Sequence, residues 1–201
     1  MKQALYILRH PVYGVWNMKR LKSGRYRDGI ILILLAIVAV TFNRQVRAFV
    51  FNNNYNVPLD IIKQIAIVVL PVILFCLANW SITTLAEGKG SFKDIFLVTC
   101  YSLMPLIIFQ FITPLLSHLM TLNELVYLQI IDGVGFGWML LMLLLGIREI
   151  HEYTPRKMVS TLILTVIGAA IIVFVTLLFF SLLQELGSFI YSIYREFSLR
   201  L

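Results

Sequence analysis

Three ionisable residues stand where an apolar chain tolerates them least, and they offer the most chemistry. Asp132 sits about two turns inside one long apolar stretch, and Arg44 and Arg47 lie at the end of another. A charge in a hydrocarbon layer is expensive, so this carboxylate is expected to face the interior of a helix bundle and find a partner there. A buried pair between Asp132 and one of the two arginines would satisfy both groups. Such a pair can fix helix packing or serve a proton or ion relay, or Asp132 can reach the interface instead. As a relay it would have no companion acid and no intramembrane histidine to pass a proton to.

Other constellations that would signal catalysis are incomplete. His151-Glu152 is not followed by the second histidine of a zinc-binding helix. There is no G-x-S-x-G, no glycine-rich phosphate loop ending in Lys-Ser/Thr, and no pair of carboxylates at one depth. Ser102 and His118 lie towards opposite ends of one apolar stretch. Cys76 and Cys100 also fall within apolar stretches, where a thiol is a small packing residue, so neither a disulfide nor a metal site is expected. The chain reads as a non-enzyme without a cofactor. Beside Asp132, Gly133 and Gly137, with Gly135 between them, have the spacing that lets helix backbones approach, and they are assigned to helix packing.

Composition dictates the elements that hold these residues. Of 201 residues, 60% are hydrophobic and only 13% are charged, against about 25% charged in soluble domains. A bilayer core needs about 20 apolar residues per helical crossing. Five stretches meet that need, at about 29–51, 64–86, 95–117, 125–147 and 158–184, with the first extended through Arg44 and Arg47 to reach a full crossing. The fold class is all-α: a polytopic membrane protein with a five-helix transmembrane bundle and short amphipathic interfacial helices at both ends. Residues 1–28 form a basic amphipathic segment that Pro11 divides into two short helical pieces. Asn52-Asn53-Asn54, with Pro58 after it, predicts an exposed turn. Residues 185–201 form an amphipathic tail on the far side, where Phe189, Ile190, Ile193, Tyr194 and Phe197 recur at helical spacing.

The net charge of +7 is placed for a membrane rather than for nucleic acid, and no nucleic-acid partner is expected. Seven of the 17 basic residues precede the first span, and Lys19, Arg20, Lys22, Arg25 and Arg27 are assigned to anionic lipid headgroups. Twelve basic residues fall on the N-terminal side of the bundle and five on the other. The excess of positive charge on the cytoplasmic side predicts a multi-pass protein of the cell membrane, with the N-terminus cytoplasmic and the C-terminus extracytoplasmic. The first span is expected to direct insertion itself.

Several short runs resemble a known family. His10-Pro11-Val12-Tyr13-Gly14-Val15-Trp16, followed by a basic stretch, resembles the start of bacterial YIP-family membrane proteins. So do Ala78-Asn79-Trp80, the run Gly88-Lys89-Gly90-Ser91-Phe92-Lys93-Asp94, and Cys100-Tyr101-Ser102-Leu103-Met104-Pro105 in the third span. The family-like residues are thus His10, Pro11, Trp16, Asn79, Trp80, Gly88, Gly90, Tyr101 and Pro105. The resemblance implies five spans and a membrane location. Eukaryotic members reside in the endoplasmic reticulum and Golgi, bind Rab-type GTPases or one another, and carry a longer N-terminal region than the 28 residues found here. Cys100 also stands where their motif usually has Gly.

The expected function is a membrane-organising or scaffold protein that binds anionic lipid together with a membrane-protein partner or a second copy of itself. Its working surfaces would be the N-terminal segment and the loops at Glu87–Asp94 and Arg148–Lys157. The alternative is a small transporter or transporter subunit, with a hydrated path lined by Asp132, Arg44, Arg47, Asn79 and Gln110.

Overall fold

Proline and side-chain caps mark where most of the helices begin. The computed structural model describes residues 2–52 and 56–200, which are helical with no strand among them. Two short helices come first, α1 (Lys2–Arg9) and α2 (Pro11–Arg20), broken at His10 because Pro11 opens the second. Five long helices follow: α3 (Tyr26–Val46), α4 (Ile61–Leu85), α5 (Phe92–Ser117), α6 (Leu125–His151) and α7 (Pro155–Arg200). The Asp60 side chain caps α4, and Ser91 with Asp94 forms a reciprocal cap on α5. All five long helices have the length and apolar character to cross a membrane.

The bundle is built around α5, whose most apolar stretch is 61% buried, against 6% for that of α7. Helix α3 lays Gly29, Leu32, Ala36, Ala39 and Asn43 along it, a stripe at alternating steps of three and four residues. From the other side α6 contributes Leu128, Gly135, Met142, Gly146 and Ile150. Lipid chains are as apolar as leucine, so close van der Waals contact between small residues must hold such helices together. A Cβ on Gly146 would strike Val98, one on Gly135 would strike Phe109, and one on Gly29 would strike Phe96. Helix α4 packs on α5 and α3, and α7 packs mainly on α4.

Several boundaries differ from the sequence expectation. The first span does not continue to Phe51. Helix α3 ends at Val46, because the His118 ring nitrogen lies 2.6 Å from the Val46 carbonyl and the Ala48 N–H donates to Ser117 Oγ. These contacts turn the chain into a short 3-10 turn at Phe49–Phe51. Most of the expected loop at Arg148–Lys157 is helical, with only Glu152, Tyr153 and Thr154 between α6 and α7. The tail is not a separate interfacial helix: α7 continues unbroken to Arg200, with Gly187 accommodated inside it. The expected asparagine turn reaches into residues 53–55, which lie outside the described residues. The assignment of Gly133 and Gly137 to helix packing also needs correction. No other described residue lies within 4 Å of where a Cβ would stand at either, and Gly135, half a turn away, makes the close contact.

Gly135→Ala should therefore destabilise the protein by about 1–3 kcal/mol through overpacking against Phe109. Gly137→Ala, which faces open space, should raise stability or leave it unchanged. Thermal unfolding of the purified variants in detergent separates the two, and equal loss from both would contradict this packing.

Candidate functional site

Two polar assemblies lie at opposite ends of the bundle. On the N-terminal face, the first two helices fold back on each other because Gly14 sits against the Ile7 backbone, where a Cβ would collide. This buries Ile7, Val15 and Met18 and packs α1 against α5 and α2 against α6. Trp16 stays exposed with the Arg20 guanidinium over its ring at 4.4 Å. Lys19, at the end of α2, donates to Glu152 at 3.2 Å, and Lys89, in the loop between α4 and α5, donates to the same carboxylate at 2.6 Å. Glu152 itself closes α6 in a left-handed conformation, with φ 56°. One carboxylate thus joins the N-terminal helices, the α4–α5 loop and the α6–α7 turn.

Beneath that tie lies a group that sequence reasoning missed. His151 is fully buried, stacked on Tyr153 at 5.1 Å, and its Nδ1 accepts from the Gly90 N–H at 3.2 Å. Nδ1 therefore carries no proton. Gly88 and Gly90 both press on this ring, and a Cβ at either would overlap it. Neither glycine has a positive φ, so they are needed for space rather than for backbone conformation. Tyr153 closes the arrangement by donating its hydroxyl to the Ala86 carbonyl at 3.2 Å. A basic pocket of about 380 Å³ opens beside it, lined by Lys19, Lys22, Lys93, Ser91 and Asp94. Of the other cations assigned to headgroups, Arg25 and Arg27 are exposed at the start of α3.

At the opposite end, Arg47 Nη2 donates to Asp132 Oδ2 at 3.1 Å. Arg44 does not share this pair. Its Nη2 reaches the carbonyls of Val57 and Pro58 at 3.2 and 3.1 Å, bracing the entry to α4. Asn43 donates to Gln110 at 2.5 Å within the same cavity, which has a volume of about 540 Å³. Asn79 is elsewhere: it donates to Thr165 at 3.1 Å and ties α4 to α7. Of the residues expected to line a path, Asp132, Arg44, Arg47 and Gln110 border this cavity and Asn79 does not.

The remaining family-like residues have structural settings. Tyr101 is buried with no hydrogen-bond partner for its hydroxyl, one turn before the buried Pro105. Trp80 is half exposed and meets Phe92 edge-on at 6.0 Å. Cys76 and Cys100 are both buried free thiols. Among the described residues no three His, Cys, Asp or Glu side chains converge as metal ligands would.

A helical protein with five membrane-length helices, a core built on close helix approach and charged ties at its ends is a polytopic membrane protein. The chain belongs to the Yip1 domain family, whose model matches residues 5–179. No curated protein and no solved structure matches the chain.

Lys89, and then Lys19, hold the Glu152 carboxyl down to about 2, below its ordinary 4.5. A lowered value means that the stabilising effect of the tie is complete above about pH 4.5 and is lost as pH falls towards 2. Fluorescence from Trp16, read against a Trp16→Phe control, should report loosening of α2 in that window. Glu152→Gln should show the loosened signal already at neutral pH. A transition unaffected by Glu152→Gln would place the titrating group elsewhere. In a double-mutant cycle, Arg47 and Asp132 should couple by about 1–2 kcal/mol, as a partly buried pair does. Arg44 and Asp132 should couple far less.

Proposed function

We propose that this protein is a non-enzymatic membrane-organising or accessory protein whose N-terminal face, on the cytoplasmic side, binds anionic lipid headgroups and docks a membrane-protein partner. The observation that carries this reading is Glu152 holding Lys19 and Lys89 together, which makes three segments distant in sequence into one basic face. The pocket beside it offers three ammonium groups, Lys19 engaged by Glu152, Lys93 over the Tyr26 ring at 5.6 Å and Lys22 exposed towards a headgroup. The exposed rings of Tyr13 and Trp16 stand on the same segment, suited to the headgroup layer. Each cation near an anionic surface contributes about 1 kcal/mol to attraction, and salt screens it.

Transport is the second reading, favoured by the polar cavity around Asp132. It differs in its test, since Asp132→Asn would then abolish flux through reconstituted vesicles while leaving the protein folded.

Charge reversal at Lys22, Arg25 and Arg27 spares the Lys19–Glu152 tie and isolates the headgroup contribution. The expected result is preserved thermal stability with at least tenfold weaker association with phosphatidylglycerol over phosphatidylcholine in nanodiscs. The same variant should lose the partner recovered by crosslinking from native membranes. Unchanged lipid preference and unchanged crosslinks would overturn this reading.

A further inference from the structure

The cavity at the end of the bundle opposite the N-terminus has a chemistry that the proposed function leaves unused. Three cations line it, Arg44, Arg47 and Lys63, against the single carboxylate of Asp132. Among the described residues one of those charges is answered, by the Arg47–Asp132 pair. Arg44 is held by two carbonyls that carry no charge, and Lys63 Nζ engages no described residue. Excess positive charge along a partly enclosed cavity, with Lys63 exposed at its rim, draws an anion towards it.

The hydrogen-bond pattern narrows the anion. Arg47 spends one terminal nitrogen on Asp132, while its Nε is buried with no partner among the described residues. Gln110 lines the cavity and accepts from Asn43 through its carbonyl oxygen, so its amide N–H group is not spent on that bond. Gln64, one helical position beyond Lys63, is 3% exposed and lines the same wall. Planar guanidinium donors, an ammonium group and side-chain amides around one space suit an oxyanion with several acceptor oxygens. A volume of about 540 Å³ falls within the range of small-ligand sites. Lys63 stands in the first turn of α4 and Arg44 in the last turn of α3, so the cations cluster near one end of the bundle, where a headgroup would lie.

From these observations we infer that this cavity binds a phosphate oxyanion, carried by a phospholipid headgroup or free in solution. Lys63 and Arg44 supply the attracting charge. Arg47, oriented by Asp132, presents Nε–H, and Gln110 and Gln64 complete the donor set. Asp132 works against a bound anion, which is why its neutralisation by Arg47 is part of the site. This site is independent of the headgroup face at the other end.

Hydrogen–deuterium exchange of the full chain in a maltoside detergent tests the inference with a local readout. Inorganic phosphate in one arm, and phosphatidylglycerol added to the micelles in another, should slow exchange in peptides covering 43–52 and 56–67. Protection by inorganic phosphate assigns the free ion, and protection by phosphatidylglycerol alone assigns the headgroup. Either supports the site. Lys63→Gln should raise the half-saturating concentration about tenfold or more, as loss of a charge-assisted hydrogen bond does. Lys63→Arg should retain binding, and Arg195→Gln, on the distant part of α7, should leave it unchanged. The inference is overturned if neither probe protects these peptides, if acetate at equal ionic strength protects them equally, or if Lys63→Gln binds as the parent does.

Discussion

Everything in this bundle depends on how closely α3 and α6 approach α5. A bilayer gives helices little reason to bury apolar surface against one another, so cohesion must come from contact and from a few polar ties. Gly29, Gly135 and Gly146 remove the side chains that would hold the neighbouring helices away from Phe96, Phe109 and Val98. Thr99 and Ser102 turn their hydroxyls back onto the backbone of α5, to the Ile95 carbonyl and to the Val98 and Thr99 carbonyls, whereas the buried hydroxyls of Tyr101 and Thr113 have no partner among the described residues. With α5 held on both sides, its two ends become fixed points. The Ser91 cap anchors one end near Gly88, Gly90 and His151, and Ser117 with His118 captures the chain leaving α3 at the other.

The two polar assemblies use charge differently. At the N-terminal face one carboxylate is shared by two lysines in the open, where its value lies in selecting which segments meet rather than in strength. At the opposite end the Arg47–Asp132 pair is partly enclosed, and the cations around it outnumber the acid. The first assembly keeps its excess positive charge on an open face. The second is left short of negative charge.

Spans and a pair between Asp132 and one of two arginines could be read from the residues, because apolar length and the cost of a buried charge are local properties. Membership of the family was legible in runs such as His10-Pro11 and Gly88-Lys89-Gly90. The choice of Arg47 over Arg44 was not. The two sit about one turn apart, and only the end of α3 at Val46 aims one at α6 and the other at the start of α4. Which glycine packs was hidden for a related reason. Gly133 and Gly137 share a helix face and Gly135 lies roughly opposite, so spacing identifies two faces without saying which is inward. His151 left no signal of its own, since the loop that encloses it lies 61 residues away. Charged residues also read as loop where they extend helices past the apolar region, as Arg148 and Arg156 do.

The tie between Lys19 and Glu152 spans 133 positions of sequence. During synthesis, at about 5–20 residues per second, the ribosome therefore needs roughly 7–27 s after making Lys19 before its partner exists. For that interval α2 has no α6 to pack on, and its apolar face needs other cover, such as the membrane surface. The docking of α2 therefore waits until synthesis has passed the end of α6.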